Sequence, residues 1–264
     1  ALAAGAGGDA AAAVRDTLAA EAGDGLFLLG SAAHPLVAYV ALPKGWRSAG
    51  AYPVLIGVDG AGSNFEGYGR ASIAARGSRP VIGLYPVTLS NTNALDPARY
   101  PHYTPDTLAR DGDGVLKRLA FDAAGAEAVL ALLRAHFGAE ERVFLTGFSG
   151  GGQFTYHKLL QDPAHVAGAV PCCANFAGAG AQGAPGAGEG GGPPVLVLTG
   201  ETDPHREFTH GNRDSPGIEP QTDHAMKVLG ELGYTNVERR MVKAGHSPLH
   251  QMAWEFVESV LDAR

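Results

Sequence analysis

Short apolar runs alternate with longer helical stretches along most of this 264-residue chain. Eight runs read as strands: Leu26–Leu29, Val37–Ala41, Pro53–Val58, Val81–Leu84, Arg142–Thr146, Val166–Val170, Val195–Thr199 and Val237–Val242. The central ones are continuously apolar and do not alternate with polar positions, as expected of strands covered on both faces. Helical stretches lie between them. The clearest is Ala123–Phe137, where Val129, Leu130, Leu133 and Phe137 share a face, Asp122 stands in the N-cap position and Gly138 in the C-cap position. Gly151–Gln161, Thr222–Leu232 and His250–Asp262 are the others. The first two strands, joined near His34 and Pro35, predict an antiparallel start. Strand and helix then alternate. The expected architecture is therefore a single α/β domain over residues 26–264, with a mostly parallel sheet of about eight strands and helices on both faces.

Two segments break the rhythm. Residues 87–118 form a long irregular stretch containing Tyr100, Pro101, His102, Tyr103 and Pro105, expected to wall a binding site. Residues 177–194 hold eight glycines in eighteen positions and are expected to form a flexible, solvated insertion. Residues 1–25 are rich in Ala and Gly, and the pattern from Asp9 to Glu21 allows a short helix.

The sequence Gly147-Phe148-Ser149-Gly150-Gly151 fits G-x-S-x-G. Glycine is so abundant here that the match alone is weak, and context supplies its strength. A strand precedes the motif and a helix follows it, so Ser149 falls on a tight strand-to-helix turn. Such a turn crowds its neighbours, requires glycine on either side, and presents the serine Oγ near a helix N-terminus. The N–H of Gly150 can then face a developing oxyanion. A serine hydroxyl also needs a base, and the base an orienting acid, both expected at the C-terminal ends of later strands. Asp203 follows the Val195 strand and is preferred over Glu201. His246 follows the Val237 strand and is preferred over His205, His210 and His250, because it alone combines a strand-end position with the last place in the order Ser, Asp, His. A second oxyanion donor is expected in Asp59-Gly60-Ala61-Gly62-Ser63-Asn64, from the N–H of Ala61 or, second, of Gly62. Phe65 and Tyr68 follow this loop as candidate pocket residues, each equally suited to core packing.

Charge and cysteine content narrow the classes. With 20 basic and 27 acidic residues the net charge is −7, which argues against a nucleic-acid groove or a polybasic membrane patch. No apolar run reaches the roughly 20 residues of a membrane-spanning helix. The only two cysteines, Cys172 and Cys173, are adjacent; two buried thiols are expected, and a metal site built on this pair is not, since structural zinc wants four spaced ligands. The chain begins on Ala1, and no charged segment followed by an apolar one is visible near it. A secreted or periplasmic protein whose signal has been removed is the expectation, and a cytoplasmic one the alternative.

Taken in order, these motifs resemble the α/β-hydrolase fold. More narrowly, Leu42-Pro43-Lys44-Gly45-Trp46, then Asp59-Gly60-Ala61-Gly62, then Gly147-Phe148-Ser149-Gly150-Gly151 resemble the group of polyhydroxybutyrate depolymerase-like and feruloyl-esterase-like serine esterases. The resemblance covers roughly residues 35–264 and implies ester hydrolysis through an acyl-enzyme, with no cofactor and no metal. It gives Ser149 as nucleophile, His246 as base, Asp203 as its orienting acid, and Gly150 with Ala61 as oxyanion donors. The chain departs from the group at Asp59-Gly60, where a His-Gly pair is usual, and it has no large lid domain. A serine peptidase of the same fold and a non-catalytic binding protein are the alternatives. The aromatic residues Phe65, Tyr100 and Tyr103 favour bulky, aromatic or polymeric esters.

Overall fold

In the computed structural model, which describes residues 15–17, 25–93, 95–207 and 216–264, all eight apolar runs are strands. They are β1 (Phe27–Ser31), β2 (His34–Ala41), β3 (Tyr52–Val58), β4 (Ile82–Pro86), β5 (Ala139–Phe148), β6 (Val166–Cys172), β7 (Val195–Gly200) and β8 (Val237–Val242). One sheet joins them in the order β1-β2-β4-β3-β5-β6-β7-β8. β2 runs antiparallel to both its neighbours, and β4 through β8 are parallel along with β3.

Why the central strands are continuously apolar is visible in where their side chains go. Successive strand residues point to opposite faces. Val54 and Ile56 join a core shared with Leu130, Leu133 and Leu159, while Leu55 between them packs with Phe144, Trp254 and Val257 on the other face. Each face needs its own helices. The first is covered by α3 (Val115–Phe137) and α4 (Gly152–Gln161), and the second by α1 (Phe65–Arg76) and α6 (His250–Asp262). The Trp254 indole N–H donates to Ser72 O at 2.8 Å and ties α6 to α1. α2 (Pro105–Asp111) precedes α3, and α5 (Ile218–Glu231) joins β7 to β8. Edge strand β8 presents Glu238 and Arg240 to solvent, which blunts pairing with other chains.

Several expectations are corrected. The long helix starts at Val115, so Asp122 lies inside it and caps nothing. Its fully buried carboxylate accepts the N–H groups of Leu89 and Ser90, both at 2.8 Å. A partner distant in sequence therefore outweighed the local capping preference. Gly138 does end the helix, at φ 73°, with its N–H on Leu133 O. The 87–118 segment is more regular than expected. It contains a 3₁₀ turn at Pro97–Arg99 and α2, which is capped by Thr104 and starts on Pro105. Residues 177–194 are no free spacer: Gln161 Nε2 donates to Gly180 O and Gln182 O, and the N–H groups of Ala187 and Thr235 donate to Leu232 O and Gly191 O. Phe65, Tyr100 and Tyr103 all belong to the core, where Phe65 packs on Tyr100 at 5.9 Å and the Tyr103 hydroxyl donates to Val87 O. Tyr68 is likewise buried, against Tyr85 and His250. The helix expected over Asp9–Glu21 lies outside the described residues except for 15–17, which are helical.

Two buried groups generate predictions. Asp122→Ala strands two buried N–H donors at about 1–3 kcal/mol each, so the denaturant midpoint should fall at unchanged m-value. Burial drives the His250 imidazole down to about 4 from an ordinary 6.5. A folded-state pKa below the unfolded one gives stability that is complete above about 6.5 and is lost as pH falls toward 4. Burial pushes Asp122 the other way, up to about 7, so its contribution declines as pH rises through the same window. His250→Phe keeps the ring against Tyr68 and should flatten the acid-side loss of melting temperature relative to the parent; an unchanged pH profile would contradict this.

Candidate active site

β5 ends at Phe148, and Ser149 turns the chain at φ 51°, into a 3₁₀ turn and then α4. A left-handed serine is strained, at about 1–3 kcal/mol, and persists only where its surroundings fix it. Here the Ser149 carbonyl accepts the N–H of Asn175 at 2.8 Å. The flanking glycines are needed for the reason expected. A Cβ on Gly147 would lie 2.2 Å from Thr155 Oγ1, and one on Gly151 would lie 2.4 Å from Val58 O and 2.5 Å from Asp59 O.

The acid and the histidine come together. Asp203 Oδ2 and His246 Nδ1 are 2.7 Å apart, and Asp203 Oδ1 accepts the N–H of His205 at 2.7 Å. Asp203 is buried, with 1% of its side chain exposed, whereas Glu201 faces solvent. His246 packs against Phe148 at 4.7 Å and against His205, edge-on, at 4.8 Å. Among its rivals, His250 is buried on Tyr68, and His210 lies outside the described residues. Ser149 and His246 line one cavity of about 660 Å³ together with Gly60, Ala61 and Gly150. Asn64, Ser90, Asn93, Gln153 and Asn175 form much of the remaining wall, and Phe65 is not part of it.

The loop after β3 explains the departure at Asp59. Asp59 Oδ2 accepts the N–H of Asn64 at 2.7 Å, and Asn64 in turn caps α1 through Gly67 N. Burial raises the Asp59 carboxyl, and hydrogen bonds from Gly60 and Asn64 pull it back. The acidic side chain thus folds the loop and faces its backbone. Two adjacent thiols, Cys172 and Cys173, are buried and free. Cys173 Sγ lies with Asp203 and His246 in the one group of three metal-type donors among the described residues, all within 4.8 Å. Burial pushes the Cys173 thiol up from its ordinary range.

Sequence reasoning missed Asn91 and the roles of Ser63, Tyr100 and Asp122 behind the loop after β3: Asn91, Ser63 and Tyr100 are joined by hydrogen bonds, and Asp122 lies beneath them. The polar run Ser90-Asn91-Thr92-Asn93, shortly after a buried strand, was the available signal, and all four residues line the cavity.

Solved structures share this fold. A thermostable esterase matches 90% of the chain at TM-score 0.57 and 18% identity, and the chain spans 62% of that protein's length. Poly(aspartic acid) hydrolase-1 from Sphingomonas sp. KT-1 matches 90% of the chain and 97% of its own, at TM-score 0.60 and 19% identity. Esterase 2 of Thermogutta terrifontis, in a form phosphorylated by paraoxon, matches 91% and 95% at TM-score 0.61 and 14% identity. The chain has the α/β-hydrolase fold. At these identities the likeness is one of fold. No protein-family model matches the sequence, and neither does any curated protein. Within this hydrolase fold, Ser149, Asp203 and His246 occupy the ends of β5, β7 and β8 in chain order.

The crowding at the turn is testable. Gly151→Ala forces a Cβ into two backbone carbonyls and should destabilise the protein by about 1–3 kcal/mol or more. A melting temperature equal to the parent's would show that the turn is looser than described.

Proposed function

We propose that the chain is a serine hydrolase that cleaves carboxylic esters through an acyl-enzyme. The observation that carries this reading is the strained Ser149 lining the same cavity as a His246 whose Nδ1 is 2.7 Å from a buried carboxylate. Asp203 fixes the tautomer with the proton on Nδ1, which leaves Nε2 free to act as base. His246 takes the Ser149 proton as Oγ bonds to the ester carbonyl carbon. The carbonyl oxygen becomes an oxyanion, met by the N–H groups of Gly150 and Ala61. His246 then returns the proton to the leaving alcohol as the carbon–oxygen bond breaks. A water molecule repeats the sequence on the acyl-enzyme and releases the acid. The esterases among the neighbours, one of them phosphorylated by paraoxon, support this assignment of chemistry.

The substrate preference changes from the one first expected. Phe65, Tyr100 and Tyr103 are committed to the core, which withdraws the support for aromatic or polymeric esters. An amide- and hydroxyl-rich wall instead supports small esters that carry hydrogen-bonding groups.

Initial rates on p-nitrophenyl esters from acetate to palmitate test the reading. Short chains should be turned over best, Ser149→Ala should lower kcat by about 10⁴-fold or more, and Asp203→Asn by about 10⁴-fold. Near-parental turnover in Ser149→Ala would refute the assignment.

A further inference from the structure

The N–H of Ala61 is useful as an oxyanion donor only if its peptide plane is held in one orientation, and the residue that holds it lies outside the catalytic motifs. Gly60 to Ser63 form a turn closed by Ser63 N–H on Gly60 O at 3.1 Å. Asn91, 1% exposed, reaches into this turn from the loop after β4. Its Nδ2 donates to Gly60 O at 2.7 Å and to Ser63 Oγ at 3.1 Å, and its Oδ1 accepts the Tyr100 hydroxyl at 2.9 Å. Every polar atom of the amide is thereby engaged, so its own orientation is determined. Gly60 O and Ala61 N–H belong to the same trans peptide and point in opposite directions. Fixing the carbonyl on Asn91 therefore fixes the N–H on the far side.

That far side faces the turn at Ser149. Ala61 N lies 3.4 Å from where a Cβ on Gly150 would stand, and a Cβ on Gly60 would lie 3.1 Å from the Ser149 Cβ. The Ala61 N–H has no partner among the described residues. The Asn91 backbone also passes close to Gly150, where an added Cβ would lie 1.9 Å from its main-chain carbonyl oxygen, a contact that does not involve the side chain. The Asn91 loop is itself anchored, through the Leu89 and Ser90 N–H groups, on the buried Asp122 carboxylate of α3. We infer that Asn91 is a positioning residue for the oxyanion hole, acting through the Gly60–Ala61 peptide to aim the Ala61 N–H at the reacting carbonyl oxygen. This rests on the hydrolase reading above.

A double-mutant cycle separates positioning from mere structural support. Gly62 has no left-handed φ, so the turn is of a type that accepts proline at the Ala61 position, and Ala61→Pro removes the N–H and sets the ring Cδ in its place. Ala61→Pro should lower kcat on p-nitrophenyl acetate by at least about 10²-fold, since loss of one oxyanion donor usually costs about 10²–10³-fold and the ring Cδ adds crowding. Asn91→Ala should lower kcat by about 10–100-fold with KM within about threefold, because substrate binding precedes the oxyanion. The double variant should lose no more than Ala61→Pro alone, since both changes act on one N–H. Losses that multiply, or an Asn91→Ala enzyme with parental kcat, would overturn the inference. If Asn91→Ala does not fold, Asn91→Asp carries the same comparison: it fills the same space, keeps the acceptor for Tyr100 and sets an oxygen against Gly60 O. Labelling of Ser149 by a fluorophosphonate tells the two failures apart. A parent protein that neither labels nor turns over esters refutes the hydrolase reading and this inference with it. A parent that does both, beside an unimpaired Asn91 variant, refutes the inference alone.

Discussion

The backbone contact between the turn at Ser149 and the loop after β3 is the constraint on which the site depends. Val58 O and Asp59 O come so close to Gly151 that no side chain fits between them, while Gly60 stands less tightly against Ser149, where an added Cβ would lie 3.1 Å from the serine Cβ. Backbone against backbone at this range leaves little freedom, which is why the strained φ of 51° at Ser149 is stable. The four non-glycine residues with positive φ among the described residues are Ser63, Ser149, Cys173 and Leu249. Ser63 and Ser149 lie at the touching loops, Cys173 follows β6 beside Asp203 and His246, and Leu249 stands three residues past His246 at the start of α6. Strain is concentrated where the loops converge, and the two-faced core pays for it.

Beneath this contact lies a chain of polar groups that no local pattern announces. Asp122, buried in α3, holds the loop after β4; Asn91 on that loop holds the loop after β3; and Asp59 closes that last loop on Asn64. A buried carboxylate is costly unless hydrogen-bonded, and here the bonds it makes are the ones that shape the cavity wall. The same economy accounts for Asp59, whose acidic side chain satisfies backbone N–H groups where it lines the same cavity as Ser149.

Much of the fold was legible because parallel strands buried on both faces need continuous apolar runs, and such runs as Val54-Leu55-Ile56 and Val195-Leu196-Val197-Leu198 are hard to mistake. Ser149, Asp203 and His246 were legible for a related reason. Each stands within four residues of a strand end, so finding that end fixed the residue's place to within a few positions. The long helix was misjudged at its start because Asp122 looks like a cap to its neighbours in sequence, while its real partners are Leu89 and Ser90. Phe65, Tyr100 and Tyr103 were misplaced because an aromatic residue near a functional loop suits a pocket and a core equally well in one dimension.

By itself the sequence determined the alternation of strand and helix, the two-faced core, and the order of Ser149, Asp203 and His246 at successive strand ends, because these depend on local periodicity and on short motifs. Only the tertiary structure decided which side chains face the cavity, what Asp59 and Asp122 do with their charge, and how Asn91 comes to grip Gly60 O. Those outcomes depend on groups brought together from α3 and from the separate loops after β3 and β4, and the directionality of a hydrogen bond is set only when both partners are in place.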